Sequence, residues 1–528
     1  MRKWIALLLV LAMGLALFTG CGSKEPAATE APAASSNSSA EPAPSSDQEI
    51  VTVKVSYPCL VVVPSPDATV AVEEAINNHL SEIGSRIRMK LDPVDGMSYA
   101  TTIDMQQIGG EEVDLYMALG NLSDMVNSNK VQPITDYVHT ALQPALDLTG
   151  DTLIDATTFY GEVYGFPCYK TTALTYYLVV DTEVAENDLG LKLGDKLTID
   201  QVTEKLAILH EKYPSKIAMG VRPGANGTPN NFCLSALYGT AEYYKVVDLG
   251  NGVCTIGDEP VIRNMYDSDY FMQVCKTAYA WNQAGYVNKD ASVATEEGYD
   301  LLKADRAMSY IIGYGGYNPR ITDGASDSTH QRSVMYIPIT STMNTPSGLD
   351  WCVSYGCKNP EAACEALSLF YTDSFVMNTL LCGVEGRDYV DTGLGTAEDK
   401  VVDFPEGLDA FSVPYYAYFT CGIMGNEYLD WVYIKADGTF EDKRADNLKF
   451  MQDAVPSPVY GFTLDTANIK NAAAAISNVE TQYLGGLLTG ELDPEVYIPE
   501  FLAALESAGI NDVVAEAQTQ LDAWVAAK

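Results

Sequence analysis

An α/β fold built on a parallel sheet is the class that this 528-residue sequence predicts, and three observations near its start carry the prediction. Short β-branched runs alternate with segments of helical period. The helical segments open on capping residues and close on glycine. The order strand, helix, strand, helix, strand then requires parallel pairing through right-handed crossovers.

The first strand is "IVTVKVSY", where Ile50, Val51, Val53 and Val55 alternate in part. After a loop containing Pro58, Pro64 and Pro66, Asp67 is expected to cap a helix that ends at Gly84 and places Val72, Ile76, Leu80 and Ile83 on one face. "RIRMKL" alternates Ile87, Met89 and Leu91 as a second strand, a helix from Tyr99 to Ile108 stops at Gly109-Gly110, and "DLYMAL" (114–119) is a third strand. Ligands of such sheets lie beyond the carboxyl ends of strands, which directs attention to loops 57–66 and 118–124.

The alternation continues downstream. Thr198 and Gln201 have capping-box spacing ahead of an apolar stripe of Val202, Leu206, Leu209 and Tyr213. Asn359 and Pro360 open a helix with Ala363, Ala366, Leu367 and Phe370 facing inward. The last helix puts Val514, Ala517, Leu521 and Trp524 on one side. No internal repeat of solenoid length is present.

The amino terminus has a different character. Arg2 and Lys3 precede an apolar block of 14 residues, Ile5 to Phe18, shorter than the roughly 20 residues that a bilayer span needs. This is the layout of a secretory signal. Thr19-Gly20-Cys21 resembles a bacterial lipobox, with Phe18 where such boxes usually carry Leu, and the resemblance implies cleavage after residue 20 and a diacylated Cys21. Two acyl chains meet the requirement for stable anchoring. Residues 22–48 are rich in Ala, Pro, Ser and Glu with no large apolar side chain, so they read as an extended tether.

Composition narrows the partners. The 32 basic and 71 acidic residues give a net charge of −39, and removing Arg2 and Lys3 with the leader makes the body more acidic still. Such a surface repels phosphate backbones, which argues against nucleic acid. Of 11 cysteines, ten follow Cys21 as scattered single residues in a chain large enough to fold without staples, so they are expected to be mostly buried thiols with at most a couple of bridges. No CxxC pair occurs, and none of the four histidines is paired at i, i+4. Neither a structural zinc nor a cofactor is expected.

Four segments, "VDLYMALGNLSDMVNSNKVQPITDYV", "GEVYGFPCYKTTALTYYLVVDTEVAE", "KADRAMSYIIGYGGYNPR" and "CKNPEAACEALSLFYTD", follow one another at family-like spacing. With "LLCGVEGRDYV", "AISNVETQY" and "AGINDVVAEAQTQLDAW", they resemble the extracellular solute-binding proteins that feed ABC importers, the large family that includes maltose-binding protein. The resemblance covers residues 49 to 528 and implies a two-lobed periplasmic-binding-protein-like fold of type II with a ligand cleft between the lobes. The implied division assigns 49–177 to the first lobe and 178–352 to the second. It returns 353–400 to the first and packs a mostly helical 401–528 on the second. Crossings are expected near Tyr176 to Val180 and Val353 to Gly356.

A sugar presents C–H faces and hydroxyl pairs together, and Tyr matches both; the chain has 33 Tyr against 14 Phe, although most tyrosines in any protein are structural. Tyr314, Tyr317 and Asn318 surround glycines in "YIIGYGGYNPR", where the resemblance implies a cleft aromatic. Asn121 follows a strand's carboxyl end and suits either a ligand contact or a helix cap. Thr172 stands at the position closest to the family's cleft carboxylate. Trp351, beside the expected return crossing, fits cleft or core, and Phe462 matches a late cleft aromatic or a structural loop. Trp281 reads as core and Trp431 as a strand residue.

These readings describe a lipid-anchored, extracytoplasmic, monomeric receptor that passes a sugar or oligosaccharide to ABC permease subunits by cleft closure, without catalysis. A peptide receptor of the same fold and a secreted glycoside hydrolase with two carboxylates remain as alternatives.

Overall fold

The computed structural model describes residues 49–60, 62–192, 195–222, 233–296, 298–315, 332–337, 342–343, 348–417, 424–434, 438–440, 442 and 444–527. Its first sheet has the strand order Ile87–Asp95, Val51–Cys59, Leu115–Leu119, Leu349–Val353, Phe166–Pro167. The first three are parallel, as the helical connections between them require, and Leu349–Val353 enters antiparallel. The helix Pro66–Glu82 covers one face of this sheet with Val72, Ile76 and Leu80.

The cap of that helix is Ser65 and not Asp67: Pro66 takes the first helical position, and the Ser65 hydroxyl accepts from the Ala68 N–H at 3.3 Å. Ile83 is the C-cap and is exposed, because the helix ends before the residue can turn inward.

A second core forms around Leu174–Asp181, which lies between Ser309–Gly315 and Arg332–Ile337, antiparallel to both. Tyr176, Leu178 and Val180 enter this core, while Tyr177 and Val179 pack on the other face with Leu302 and Tyr310. Both faces of the strand are covered, and this accounts for the unbroken apolar run "YYLVV". Helices Ile199–Lys212 and Asp269–Gln283 bury faces in the same core, and Trp281 is buried with its indole N–H on Thr203 Oγ1 at 2.9 Å. The closing helices Lys470–Leu488, Pro494–Ala508 and Ile510–Ala527 complete the second core, with Val513 more deeply buried than the expected Val514. Gly490, at φ +76°, makes their approach possible, since a Cβ there would collide with the Ala278 carbonyl.

The two cores locate the crossings differently from the sequence reading. The first core gathers Val53–Cys168 and Trp351–Trp431, and the second gathers Tyr176–Ile311 and Val459–Leu521. The outward crossing therefore lies between Cys168 and Tyr176. The return precedes Leu349, because Leu349–Val353 already pairs with Leu115–Leu119 in the first sheet. Residues 349–352 thus belong to the first lobe. So do Val402, Tyr415 and Trp431, which the division at 401 had assigned to the second. Trp431 directly precedes the short strand Val432–Tyr433 and donates to Glu398 O. A third passage runs from Tyr433 to Val459 by way of the helix Arg444–Asp453.

Cys59, Cys254, Cys275, Cys352, Cys357 and Cys364 are buried free thiols. Burial pushes the thiols of Cys59, Cys254 and Cys357 up to about 12, so none of these three is a thiolate near neutral pH.

The expected capping box is present: Thr198 Oγ1 accepts from Gln201 N at 3.3 Å, and Thr198 N donates to Gln201 Oε1 at 2.9 Å. Thr198→Ala is expected to lower stability by about 1 kcal/mol, measured by urea unfolding, with no change in fold.

Candidate functional site

Parallel strands deliver their carboxyl ends to one edge of a sheet, and Leu115–Leu119 ends at a cleft of about 380 Å³ between the two cores. Gly120, at φ +78°, turns the chain there and donates its N–H to Gly348 O at 2.8 Å. Asn121 follows at the N-cap of the helix Leu122–Asn127. Its side chain makes no capping bond and is exposed, so the amide is free to face a ligand.

The opposite wall comes from the second core. Asp248 to Asn251 form the tip between strands Val246–Asp248 and Val253–Ile256, held by Gly250 N donating to Asp248 Oδ1 at 2.8 Å. Phe462, Thr463, Leu464 and Thr466 continue that wall, and Gly348 and Asp350 also line the cleft. The lining combines short polar side chains, the carboxyls of Asp124, Asp248 and Asp350, and backbone with a few apolar surfaces, a set that can hydrogen-bond hydroxyl-rich neutral molecules.

Asp350 is the least ordinary member. It is 6% exposed on a central strand, and burial alone pushes its carboxyl up to about 7. A carboxyl with that value can donate to or accept from a ligand hydroxyl near neutral pH.

Several sequence candidates fall elsewhere. Trp351 is fully buried in the first core, its indole N–H on Met424 O at 3.1 Å and its ring beside Phe370, because strand alternation turns it away from its neighbour Asp350. It is a packing residue and not a ligand contact. Phe462 lines the cleft but is 3% exposed and packs edge-on to Trp524, so it supports the wall more than it presents a face. Thr172 lies on the outward crossing, its N–H 3.0 Å from Met451 Sδ. Tyr314 pairs with Thr175 through the backbone of Ser309–Gly315. Tyr317, Asn318 and Cys21 lie outside the described residues. Of loop 118–124, Gly120–Asp124 line this cleft, and none of the described residues of loop 57–66 does.

Asp350 and the 248–251 tip escaped the sequence reading, though both leave a trace. A lone carboxylate within the apolar strand "LDWCV" signals a buried charge with a task, and "DLGNG" between two short strands is a turn signal. Among the described residues, no group of three or more His, Cys, Asp or Glu could hold a metal ion, and no helix is long and apolar enough to cross a membrane.

The sequence model described as "Bacterial extracellular solute-binding protein" matches residues 72–375. The chain belongs to this family. A second match, to a domain of unknown function, DUF3502, spans residues 458–526 of this solute-binding protein. A protein of Streptococcus pneumoniae serotype 4 named as a carbohydrate ABC transporter substrate-binding protein is 23% identical over 412 residues, covering 74% of this chain and 73% of the relative. The crystal structure of the N-glycan transport solute-binding protein NgtS from Streptococcus pneumoniae superposes with a TM-score of 0.68 at 19% identity, over 90% of this chain and 98% of that one. An extracellular solute-binding protein from Bifidobacterium longum subsp. infantis gives 0.62 at 13% identity, over 90% and 98%. At these identities the structures establish a shared two-lobed fold.

Asp350 sets a pH signature for this solute-binding protein. Its carboxyl titrates at about 7 when folded and near 4 in an unfolded chain. Between those values the unfolded chain has lost a proton that the folded chain keeps, so stability falls as pH rises through the window, by on the order of 4 kcal/mol at most. Asp350→Asn is expected to remove that decline, read as melting temperature against pH from 4 to 8 relative to the unaltered protein.

Proposed function

We propose that this chain is the lipid-anchored receptor of an ABC importer, and that it captures an oligosaccharide between its lobes and releases it unchanged to membrane permease subunits. The observation that carries the reading is the cleft lined from both cores by Asn121, Asp248, Asn251, Asp350 and Thr466, with Leu122 and Phe462 as apolar surface. Hydroxyl groups of a neutral glycan suit that lining, because each can both donate and accept.

Relatives support the same class. The pneumococcal homologue is named for carbohydrate transport, NgtS has been solved with Man5GlcNAc, and the substrate-binding protein FusA with kestose. Net hydrogen bonds of ~1 kcal/mol each, with ordering costs subtracted, are compatible with about micromolar affinity. The leader 1–20, Cys21 and the tether to residue 48 supply the anchor, and the receptor acts as a monomer.

Thermal shift and calorimetry with Man1GlcNAc, Man5GlcNAc, kestose and a mixed peptide panel test the reading. A glycan is expected to raise the melting temperature and to be recovered intact, and Asn121→Ala should weaken it roughly five-fold. A shift with peptides alone, or recovery of a cleaved glycan, would overturn it. For the anchor, Cys21→Ser is expected to move the protein from the membrane fraction into the medium.

A further inference from the structure

Asp465 gathers hydrogen bonds from across the gap between the cores. Its backbone belongs to the second: Asp465 N donates to Gln520 Oε1 and Gln520 Nε2 donates to Asp465 O, both at 2.9 Å, on the last helix. Its carboxylate reaches the first. Oδ1 accepts from Asn127 Nδ2 at 2.8 Å and from Ser123 Oγ at 3.2 Å, residues one helical turn apart on Leu122–Asn127, and Oδ2 accepts from Tyr160 OH at 2.5 Å.

The partners are arranged for this purpose. Tyr160 projects from the tip of a small hairpin at φ +55°, and its hydroxyl, whose one proton goes to Asp465, also lies 2.7 Å from Asn127 Oδ1, so Tyr160, Asn127 and Ser123 gather around the same carboxylate. On either side, Thr463 Oγ1 donates to Ala156 O at 2.9 Å and Thr466 Oγ1 to Asp124 Oδ1 at 3.4 Å. Gly461 lets the second-core segment approach this closely, since a Cβ there would sit 2.9 Å from Asp155 Cβ at φ +90°. Burial raises the Asp465 carboxyl, but the bonds from Tyr160, Ala467 N, Asn127 and Ser123 outweigh it and hold the group below its ordinary value.

Both attached segments line the cleft. Gly120–Asp124 contribute from the first core, and Phe462, Thr463, Leu464 and Thr466, on either side of Asp465, contribute from the second. We infer that Asp465 is an interlobe latch that sets the spacing of the cleft walls, and that the segment matching the domain of unknown function serves to carry it. Asp465 is a positioning residue: the lining side chains meet the solute, and Asp465 keeps the walls at the distance where they can do so together. Without the latch, the competent spacing is a smaller fraction of the ensemble and apparent affinity falls by that fraction. This effect on affinity rests on the proposed solute capture, whereas the effect on wall spacing does not.

The test compares the unaltered protein with Asp465→Ala and Asp465→Asn, and with Asn127→Ala, an exposed site whose change leaves both cores intact. Small-angle scattering of the solute-free proteins is expected to give a larger radius of gyration for Asp465→Ala and for Asn127→Ala, with Asp465→Asn between. Amide exchange should quicken in 122–127 and 462–466 and stay unchanged in the strands of both cores. Man5GlcNAc, if it binds the unaltered protein, should bind Asp465→Ala roughly ten-fold more weakly. Scattering and exchange that match the unaltered protein in all variants would overturn the latch. Failure of Man5GlcNAc to bind any of the proteins would count against the proposed ligand and leave the scattering result to decide the latch.

Discussion

The antiparallel pairing of Leu349–Val353 with Leu115–Leu119 is the interaction on which the rest of the molecule depends. Five residue pairs, Leu349 with Leu119 through Val353 with Leu115, bring the chain back to the sheet it left after Phe166–Pro167. Tyr176–Ile311, which lie between, supply one part of the second core, and Val459–Leu521 supply the other. Because the return strand adjoins the cleft end of the first sheet, the same ladder that closes this long excursion also sets Gly348 and Asp350 at the cleft. Closing a long loop adds little entropy cost beyond that of a short one, so a modest ladder with apolar residues on either side of Asp350 suffices.

That geometry explains the unusual state of Asp350. A central strand position is dry by construction, and a carboxylate there without a cation would ordinarily be selected against. Its place at the cleft makes it useful, because a ligand hydroxyl can supply the partner that the strand does not. Trp351, one residue on, points the other way and closes the core against Phe370. A single strand thereby places one residue at the cleft and the next in the core.

The walls meet this floor from elements of unlike origin. One is a helix start placed by a parallel strand, the other a hairpin tip and an irregular segment held by the closing helix through Gln520. Hydrogen bonds concentrated on Asp465 connect these unlike parts. Such polar contacts at a part-exposed edge exchange readily with water, so they suit a joint that has to move better than an apolar contact would.

Local chemistry determined much of this by sequence alone. The alternation of Val53, Val55 and of Met89, Leu91, the capping box at Thr198, the stripe Val202, Leu206, Leu209 and the loop 118–124 depend on neighbours a few residues away, so they were legible, as was Asn121 at a strand's carboxyl end. Cap identity at Ser65 was missed because Pro66 shifts the start by a position. Trp351 could not be separated from its neighbour's role, since either face of a buried strand reads as apolar. The lobe that owns 349–352, Val402, Tyr415 and Trp431, the approach of Asp248 and Asn251 to Asn121, and the meeting of Asp465 with Tyr160 were decided only by tertiary structure. Those groups are hundreds of residues apart in some cases, and no short-range preference records which distant sheet, turn or carboxylate a segment will find.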